Sequence, residues 1–180
     1  MKKEIRLSGT GGQGIIKISV IMAEAALADG YEALQSQAYG PEARGGASKG
    51  EVVISDTAVY YPKVETPDMV LCLSQAACDK YAYDIKQGGI LVLDSDHCKP
   101  DMDKLKGVTV YSVPIISCAY NTVGNPLCVN TVALGAFVTL TKAVSEESAI
   151  EALKGSFKAK IVPLNVTAYE EGKKLCEKYM

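Results

Sequence analysis

Glu4-Ile5-Arg6-Leu7-Ser8-Gly9-Thr10-Gly11-Gly12-Gln13-Gly14-Ile15-Ile16-Lys17-Ile18 decides how this chain is read. A short strand over 4–8 runs into a glycine-rich turn. A helix over 14–29 follows, in which Ile15, Ile18, Ile21, Met22, Ala25 and Ala26 recur at helical spacing. Asp29-Gly30 stops that helix before a second strand over 31–36, which makes a βαβ unit with parallel strands and a right-handed crossover. Glycines let the backbone turn sharply and place no Cβ between the helix start and whatever approaches it. The free N–H groups of the first turn and the positive end of the helix dipole then suit an anion, typically a phosphate. Gly9, Gly11 and Gly14 also satisfy the dinucleotide pattern Gly-x-Gly-x-x-Gly. That reading needs an acid at the end of the second strand to hold ribose hydroxyls, yet the strand runs into Leu34-Gln35-Ser36-Gln37 and Glu32 stands at its start. Gly11, Gly12, Gln13 and Gly14 are therefore candidates for a phosphate or a partner surface rather than for NAD, with tight packing as the plain alternative.

Outward from this unit the pattern alternates. Residues 37–50 read as a long polar loop, of the length at which loops are functional or disordered. Glu51-Val52-Val53-Ile54-Ser55 and Ala58-Val59-Tyr60-Tyr61, joined by Asp56-Thr57, read as a hairpin, which makes the sheet mixed. A buried strand over 68–73, a helix over 74–86 closed by Gly88-Gly89, and strands over 90–94 and 108–113 follow. Helical segments are expected over 114–121, 127–142, 146–154 and 163–179. The expected fold class is α/β: a three-layer α/β/α domain over residues 1–180, with a mixed, mostly parallel sheet and a Rossmann-like first βαβ unit.

At 180 residues, 48% hydrophobic and 22% charged, the chain has the composition of an ordinary soluble domain. A formal net charge of −2 and the lack of a Lys/Arg cluster argue against nucleic acid as a partner. No apolar run reaches bilayer-spanning length and the N-terminus lacks a signal-peptide pattern, so the expectation is a cytoplasmic protein with no membrane partner. The six cysteines, at 72, 78, 98, 118, 128 and 176, include no C-x-x-C pair and sit mostly in apolar segments. They read as buried, reduced thiols with no metal site.

The second motif is Tyr39-Gly40-Pro41-Glu42-Ala43-Arg44-Gly45-Gly46. Pro41 fixes φ and the glycines permit tight turns, so the segment reads as a shaped loop in which Arg44 can make a forked contact with a carboxylate or phosphate. A solvated turn with a Glu42–Arg44 pair is the plain alternative. Taken together, Gly9-x-Gly-Gly-Gln-Gly-Ile15 and Gln35-Ser36-Gln37-Ala38-Tyr39 to Gly46 resemble the γ subunit of 2-oxoacid:ferredoxin oxidoreductases. The likeness continues through Tyr61-Pro62, Pro67-Asp68 and Gly124-Asn125-Pro126 and spans nearly the whole chain. Ala38, where the family often has Ser, is a small departure.

The resemblance implies a non-autonomous subunit of an enzyme that oxidatively decarboxylates a 2-oxoacid to its acyl-coenzyme A and reduces ferredoxin. Thiamine diphosphate, Mg and the iron–sulfur clusters would lie on α, β and δ partner subunits. The chain carries no Cys-rich ferredoxin run and no Gly-Asp-Gly thiamine motif of its own. Gly11, Gly12, Gln13 and Gly14 would meet phosphates of coenzyme A or line a subunit junction. Tyr39, Gly40, Pro41, Glu42, Arg44, Gly45 and Gly46 would form a partner or active-site loop. No residue of the chain is assigned a catalytic role. Pyruvate, branched-chain acids and 2-oxoglutarate stay open as substrates, with the stand-alone unit leaning to 2-oxoglutarate. The rival classes are a free-standing NAD(P)-binding oxidoreductase and a non-enzymatic scaffold. Among minor candidates, Asp94-Ser95-Asp96-His97 reads as a solvated strand-end loop, Asn121, Asn125 and Asn130 as turn or cap residues, and helix 127–142 as core or interface.

Overall fold

The computed structural model describes residues 1–38 and 46–180. In chain order the elements are β1 (Lys2–Thr10), α1 (Ile15–Ala28), β2 (Glu32–Ala38), β3 (Ala47–Ser55), β4 (Met69–Cys72), α2 (Gln75–Tyr81), β5 (Ile90–Asp94), β6 (Thr109–Val113), α3 (Ile115–Asn121), α4 (Val129–Thr141), α5 (Glu146–Ser156) and α6 (Val162–Lys174). The strands form one sheet in the order β2-β3-β1-β4-β5-β6. β1, β4, β5 and β6 are parallel neighbours, while β3 runs antiparallel to both β1 and β2. The sheet is thus mixed and mostly parallel, as the α/β pattern requires. β1 and β2 do point the same way, but β3 lies between them. At about 4.8 Å per strand spacing, β2 therefore sits roughly 10 Å from β1, too far aside to form the paired unit of a dinucleotide fold.

Two further expectations are corrected. Both described ends of the segment 37–50 are strand: Ala47–Gly50 pair with Leu7–Thr10, and Gln37 and Ala38 pair with Gly50 and Lys49. These residues lack apolar alternation, and it is backbone pairing on both sides that makes them strand. The hairpin of 51–55 with 58–61 does not form. Residues 58–61 are not strand, and Tyr60 and Tyr61 are 91% and 61% exposed, because β1 and β2 already occupy both edges of β3.

Alternate strand residues divide the core in two. Ile5, Leu7, Val52, Ile54, Leu71, Val92 and Val113 face a large cluster with residues of α1, α3, α4, α5 and α6. Val70, Cys72, Leu91 and Leu93 face a smaller one, which includes Cys78 and Ala82 from α2 and its end. The two outer layers are therefore unequal. α4 is buried on every side, with twelve of its thirteen residues enclosed, so the segment expected as core or interface is core. It crosses α6 at backbone contact: a Cβ on Gly172 would come within 2.0 Å of the Val132 carbonyl oxygen.

Element ends have specific causes. α2 stops at Tyr81 rather than 86 because Arg6 enters from β1: it is 3% exposed and donates to Glu51 (2.8 Å), Asp84 (2.6 Å), the Val64 carbonyl (3.0 Å) and, at 3.5 Å, the Tyr81 carbonyl. The last helix ends at Lys174, and a 3-10 turn over Glu177–Tyr179 follows. Tyr179 is held there by its hydroxyl on the Ser112 carbonyl (2.6 Å) and its ring against Tyr111. At the other end of the sheet, Ser145 caps α5 by accepting from Ser148 N–H at 3.1 Å, and Asp29 braces that cap by accepting from Ser145 N–H and from both Ser145 and Ser148 hydroxyls, each at 2.6 Å.

Candidate functional site

The chain leaves β1 toward β2 on one side, and the later crossovers build β4, β5 and β6 on the other. The gap between the C-terminal ends of β1 and β4 is thus a topological switch point, where open α/β sheets receive ligands. The glycine loop lies there. Gly12 and Gly14 have φ of 92° and 73°, the left-handed region that a side chain disfavours. Gly14 precedes α1 directly, and no side chain caps that helix. Its first turn holds no acidic residue and contains Lys17, so its free N–H groups and dipole face a locally acid-free environment.

The switch point is bridged by the chain's own Gln13. The Gln13 Oε1 accepts from Thr10 N–H at 2.8 Å, and its Nε2 donates to the Leu73 carbonyl at 3.3 Å, tying the end of β1 to the residue after β4. The amide that the sequence offers to a ligand is therefore engaged inside the protein. What faces outward is Gly11 and Gly12, both exposed, with open space where a Cβ would project. Gly14 is the reverse case. A Cβ there would lie 2.4 Å from Asn130 Nδ2 and 2.8 Å from Asn130 Cγ.

Asn130, from the first turn of α4, is the site residue that sequence reasoning did not assign to the loop. It is 6% exposed, and its Oδ1 accepts from Thr131 N–H at 2.9 Å and from the Thr131 hydroxyl at 3.3 Å. That pairing directs Nδ2 toward Gly14. No local signal marks this contact, because it joins positions 116 residues apart in sequence (130 less 14).

The second motif adjoins the first. Gly9 pairs with Ser48 and Thr10 with Ala47, so Gly46, which is partly buried, directly precedes β3 beside the glycine loop. Ala38, opposite Lys49, ends β2 at the same end of the sheet. Tyr39, Gly40, Pro41, Glu42, Arg44 and Gly45 lie outside the described residues. In the strand-end loop after β5, Asp96 and His97 are exposed, as expected of a solvated loop, but its first residue is not. Asp94 is fully buried and accepts from the N–H groups of Asp96, His97 and Ile116 and from His97 Nδ1, so it fastens β5 to the start of α3. A carboxylate so enclosed is a structural tie rather than half of a metal loop.

This frame, a mixed sheet with a glycine loop bridged at its switch point, defines a class that comparison identifies. Residues 4–175 match the model of the pyruvate ferredoxin/flavodoxin oxidoreductase family, and the chain belongs to that family. The chain is similar to the 2-oxoglutarate synthase subunit KorC of Methanocaldococcus jannaschii, with 49% identity over 173 residues, 96% of this chain and 92% of the relative. It is also similar to the keto/oxoacid ferredoxin oxidoreductase γ subunit of Geobacter sulfurreducens, with TM-score 0.85 and 45% identity over 97% of this chain and 96% of that one. A 2-oxoglutarate:ferredoxin oxidoreductase from Magnetococcus marinus, solved with 2-oxoglutarate, coenzyme A and succinyl-CoA, superposes with TM-score 0.87 and 28% identity, over 98% of this chain and 31% of that one. The γ-subunit reading of the sequence is met, and the free-standing NAD(P)-binding oxidoreductase is not supported. Among the described residues, no helix is long and apolar enough to cross a membrane.

Proposed function

We propose that the chain, with residues 1–180 as one γ unit, serves a cytoplasmic enzyme that converts 2-oxoglutarate and coenzyme A to succinyl-CoA and CO2 and passes the two electrons to ferredoxin. The observation that supports this oxoacid is the identity to KorC along nearly the full length of both chains. Thiamine diphosphate, Mg and iron–sulfur clusters belong in this reading to α, β and δ partner subunits.

The part assigned to this chain is to receive a phosphate of coenzyme A at the glycine loop and to present the adjoining 39–46 loop to the partner subunits. Three features of the site fit a phosphate: the open backbone at Gly11 and Gly12, the acid-free first turn of α1, and Asn130 Nδ2 directed at Gly14. Free backbone N–H groups at the start of α1 and the Asn130 amide would hold the phosphate, while Gln13, its own N–H on the Thr10 carbonyl, keeps the loop in shape from behind. Coenzyme A supplies the thiol that accepts the acyl group; the residues named here bind and orient its phosphate end.

Calorimetric titration of the chain with coenzyme A, inorganic pyrophosphate and NADH tests the site. Coenzyme A and pyrophosphate are expected to compete for one site, and NADH to bind no more tightly than pyrophosphate. Gly11→Asp adds a carboxylate where the Cβ meets open space, so it should abolish both without lowering the melting temperature. Binding that survives Gly11→Asp would overturn the phosphate assignment. Reconstitution with the partner subunits tests the larger reading: faster turnover of pyruvate than of 2-oxoglutarate would overturn the assigned substrate.

A further inference from the structure

Ala58-Val59-Tyr60-Tyr61 has the side chains of a strand and, within the chain, no strand beside it. It belongs to a strap over residues 57–66 that links β3 to β4. Thr57 N–H donates to Ser55 Oγ at 3.1 Å, and the Pro62 carbonyl accepts from the Ser36 hydroxyl of β2 at 3.1 Å. The Val64 carbonyl accepts from Arg6, and the Val64 side chain is buried. Between these fixed points, the backbone N–H and C=O groups of Ala58, Val59, Tyr60 and Tyr61 have no hydrogen-bond partner among the described residues. Four residues in succession thus leave their backbone and two exposed tyrosine rings to water.

The strap leads into a cationic pocket. Past Pro62, Lys63 lines a cavity of about 470 Å³ whose wall includes Arg6, Lys49, Lys80 and Tyr81. Three of these cations surround one ring: Arg6 Cζ, Lys49 Nζ and Lys80 Nζ lie 5.9, 5.5 and 5.3 Å from the Tyr81 centroid. The carboxylates nearby are already engaged. Glu51 accepts from Arg6 and Lys49, Asp84 accepts from Arg6, and Glu65 stands 3.7 Å from Lys63. Four cations (Arg6, Lys49, Lys63, Lys80) therefore face three carboxylates, and Lys80 has no ion-pair partner among the described residues. The positive charge left over matches one added carboxylate.

We propose that the strap and this pocket form a docking surface for an extended, acidic segment of another subunit of the enzyme. The inference rests on the multi-subunit function proposed above. The incoming backbone would pair with Ala58–Tyr61 and supply the strand that their side chains suit. Tyr60 and Tyr61 would be enclosed by the contact, and enclosed tyrosines are among the residues that dominate interface energies. An Asp or Glu of the segment would enter the pocket between Lys49, Lys63 and Lys80. The same charge argues against a second copy of this chain as the occupant, since its matching surface is also cationic.

The test compares the free chain with the enzyme reconstituted from all its subunits, by hydrogen–deuterium exchange and by sedimentation. The amides of Ala58, Val59, Tyr60 and Tyr61 should exchange freely in the free chain at every concentration and slow about tenfold or more in the assembly. Tyr60→Ala should weaken assembly about tenfold or more. Lys63→Glu combined with Lys80→Glu should also weaken it and reduce its dependence on salt. All three side chains are exposed, so the thermal midpoint of the free chain should not change. Assembly with these amides still fast, or with both variants unimpaired, would overturn the docking surface and leave the functional reading standing. Protection that grows with the concentration of the free chain would overturn the assigned partner in favour of a second copy. Pyrophosphate that shields the pocket while both variants assemble normally would overturn it in favour of a small anion. A chain that assembles with none of the other subunits would overturn the functional reading, and this surface with it.

Discussion

Replacing Gly14 by Ala tests whether the glycine loop is shaped by contact with α4. Two costs are separable. At φ 73° an alanine meets the left-handed penalty of about 1–2 kcal/mol. Its Cβ also falls 2.4 Å from Asn130 Nδ2 and 2.8 Å from Cγ, so Asn130 must swing away and lose its bond to Thr131 N–H. That displacement adds about 1–2 kcal/mol from the broken hydrogen bond and the repacking. Gly14→Ala should therefore destabilise by roughly 3 kcal/mol, a fall of about 6–12 °C in melting temperature for a chain of this size. Asn130→Ala alone should cost about 1 kcal/mol. In the double variant the Nδ2 and Cγ clashes vanish, leaving the left-handed penalty and a close Cβ at 3.0 Å. Urea unfolding followed by circular dichroism across the four proteins gives the coupling, expected at about 1–2 kcal/mol in favour of the double variant. Costs that add within about 0.5 kcal/mol would refute the contact as the reason for glycine here.

Arg6→Met should destabilise by about 3–5 kcal/mol in the same assay, because it strands Glu51, 4% exposed, with Lys49 as its one remaining ion-pair partner among the described residues. Adding Glu51→Gln should recover part of that loss; no recovery would contradict the charge argument. Gly172→Ala drives a Cβ into the Val132 carbonyl oxygen and should cost about 3 kcal/mol or more, read as a lower thermal midpoint. For Asp29, burial raises the carboxyl pKa, but hydrogen bonds from Ser145 and Ser148 and the Lys3 charge outweigh it and hold the folded value below the ordinary one. The stability it confers is therefore present above the unfolded carboxyl pKa near 4 and lost as pH falls through the lower folded value. Asp29→Asn should flatten that acid limb of the melting-temperature profile and leave the region above pH 6 parallel to the parent.

The sequence carries the parallel part of the sheet almost residue for residue. Val70-Leu71-Cys72 and Leu91-Val92-Leu93 are buried on both faces, and unbroken apolar runs are what such strands require. It does not carry β3's place between β1 and β2. Ala47-Ser48-Lys49-Gly50 has turn-like composition and becomes strand through pairing with residues forty positions away in the chain. Tyr60 and Tyr61 fail in the opposite sense, having strand-forming side chains but no free sheet edge to join. At the site, the glycines were legible because their effect on the backbone is local. The Gln13 bridge to Leu73 and the Asn130 contact with Gly14 were not, since each depends on where a distant element comes to rest.

The Gln13 bridge also orders events during folding. β1 and α1 are complete by residue 28, yet the acceptor for Gln13 Nε2 is the Leu73 carbonyl and the neighbour of Gly14 is Asn130. The loop cannot take its final shape until β4 has docked beside β1 and α4 has closed over α1. These are contacts of long sequence separation, which form late because they close large loops. The first motif of the chain to be synthesised is thus among the last to be finished, and a γ subunit halted early in folding would carry the glycine signature without its geometry.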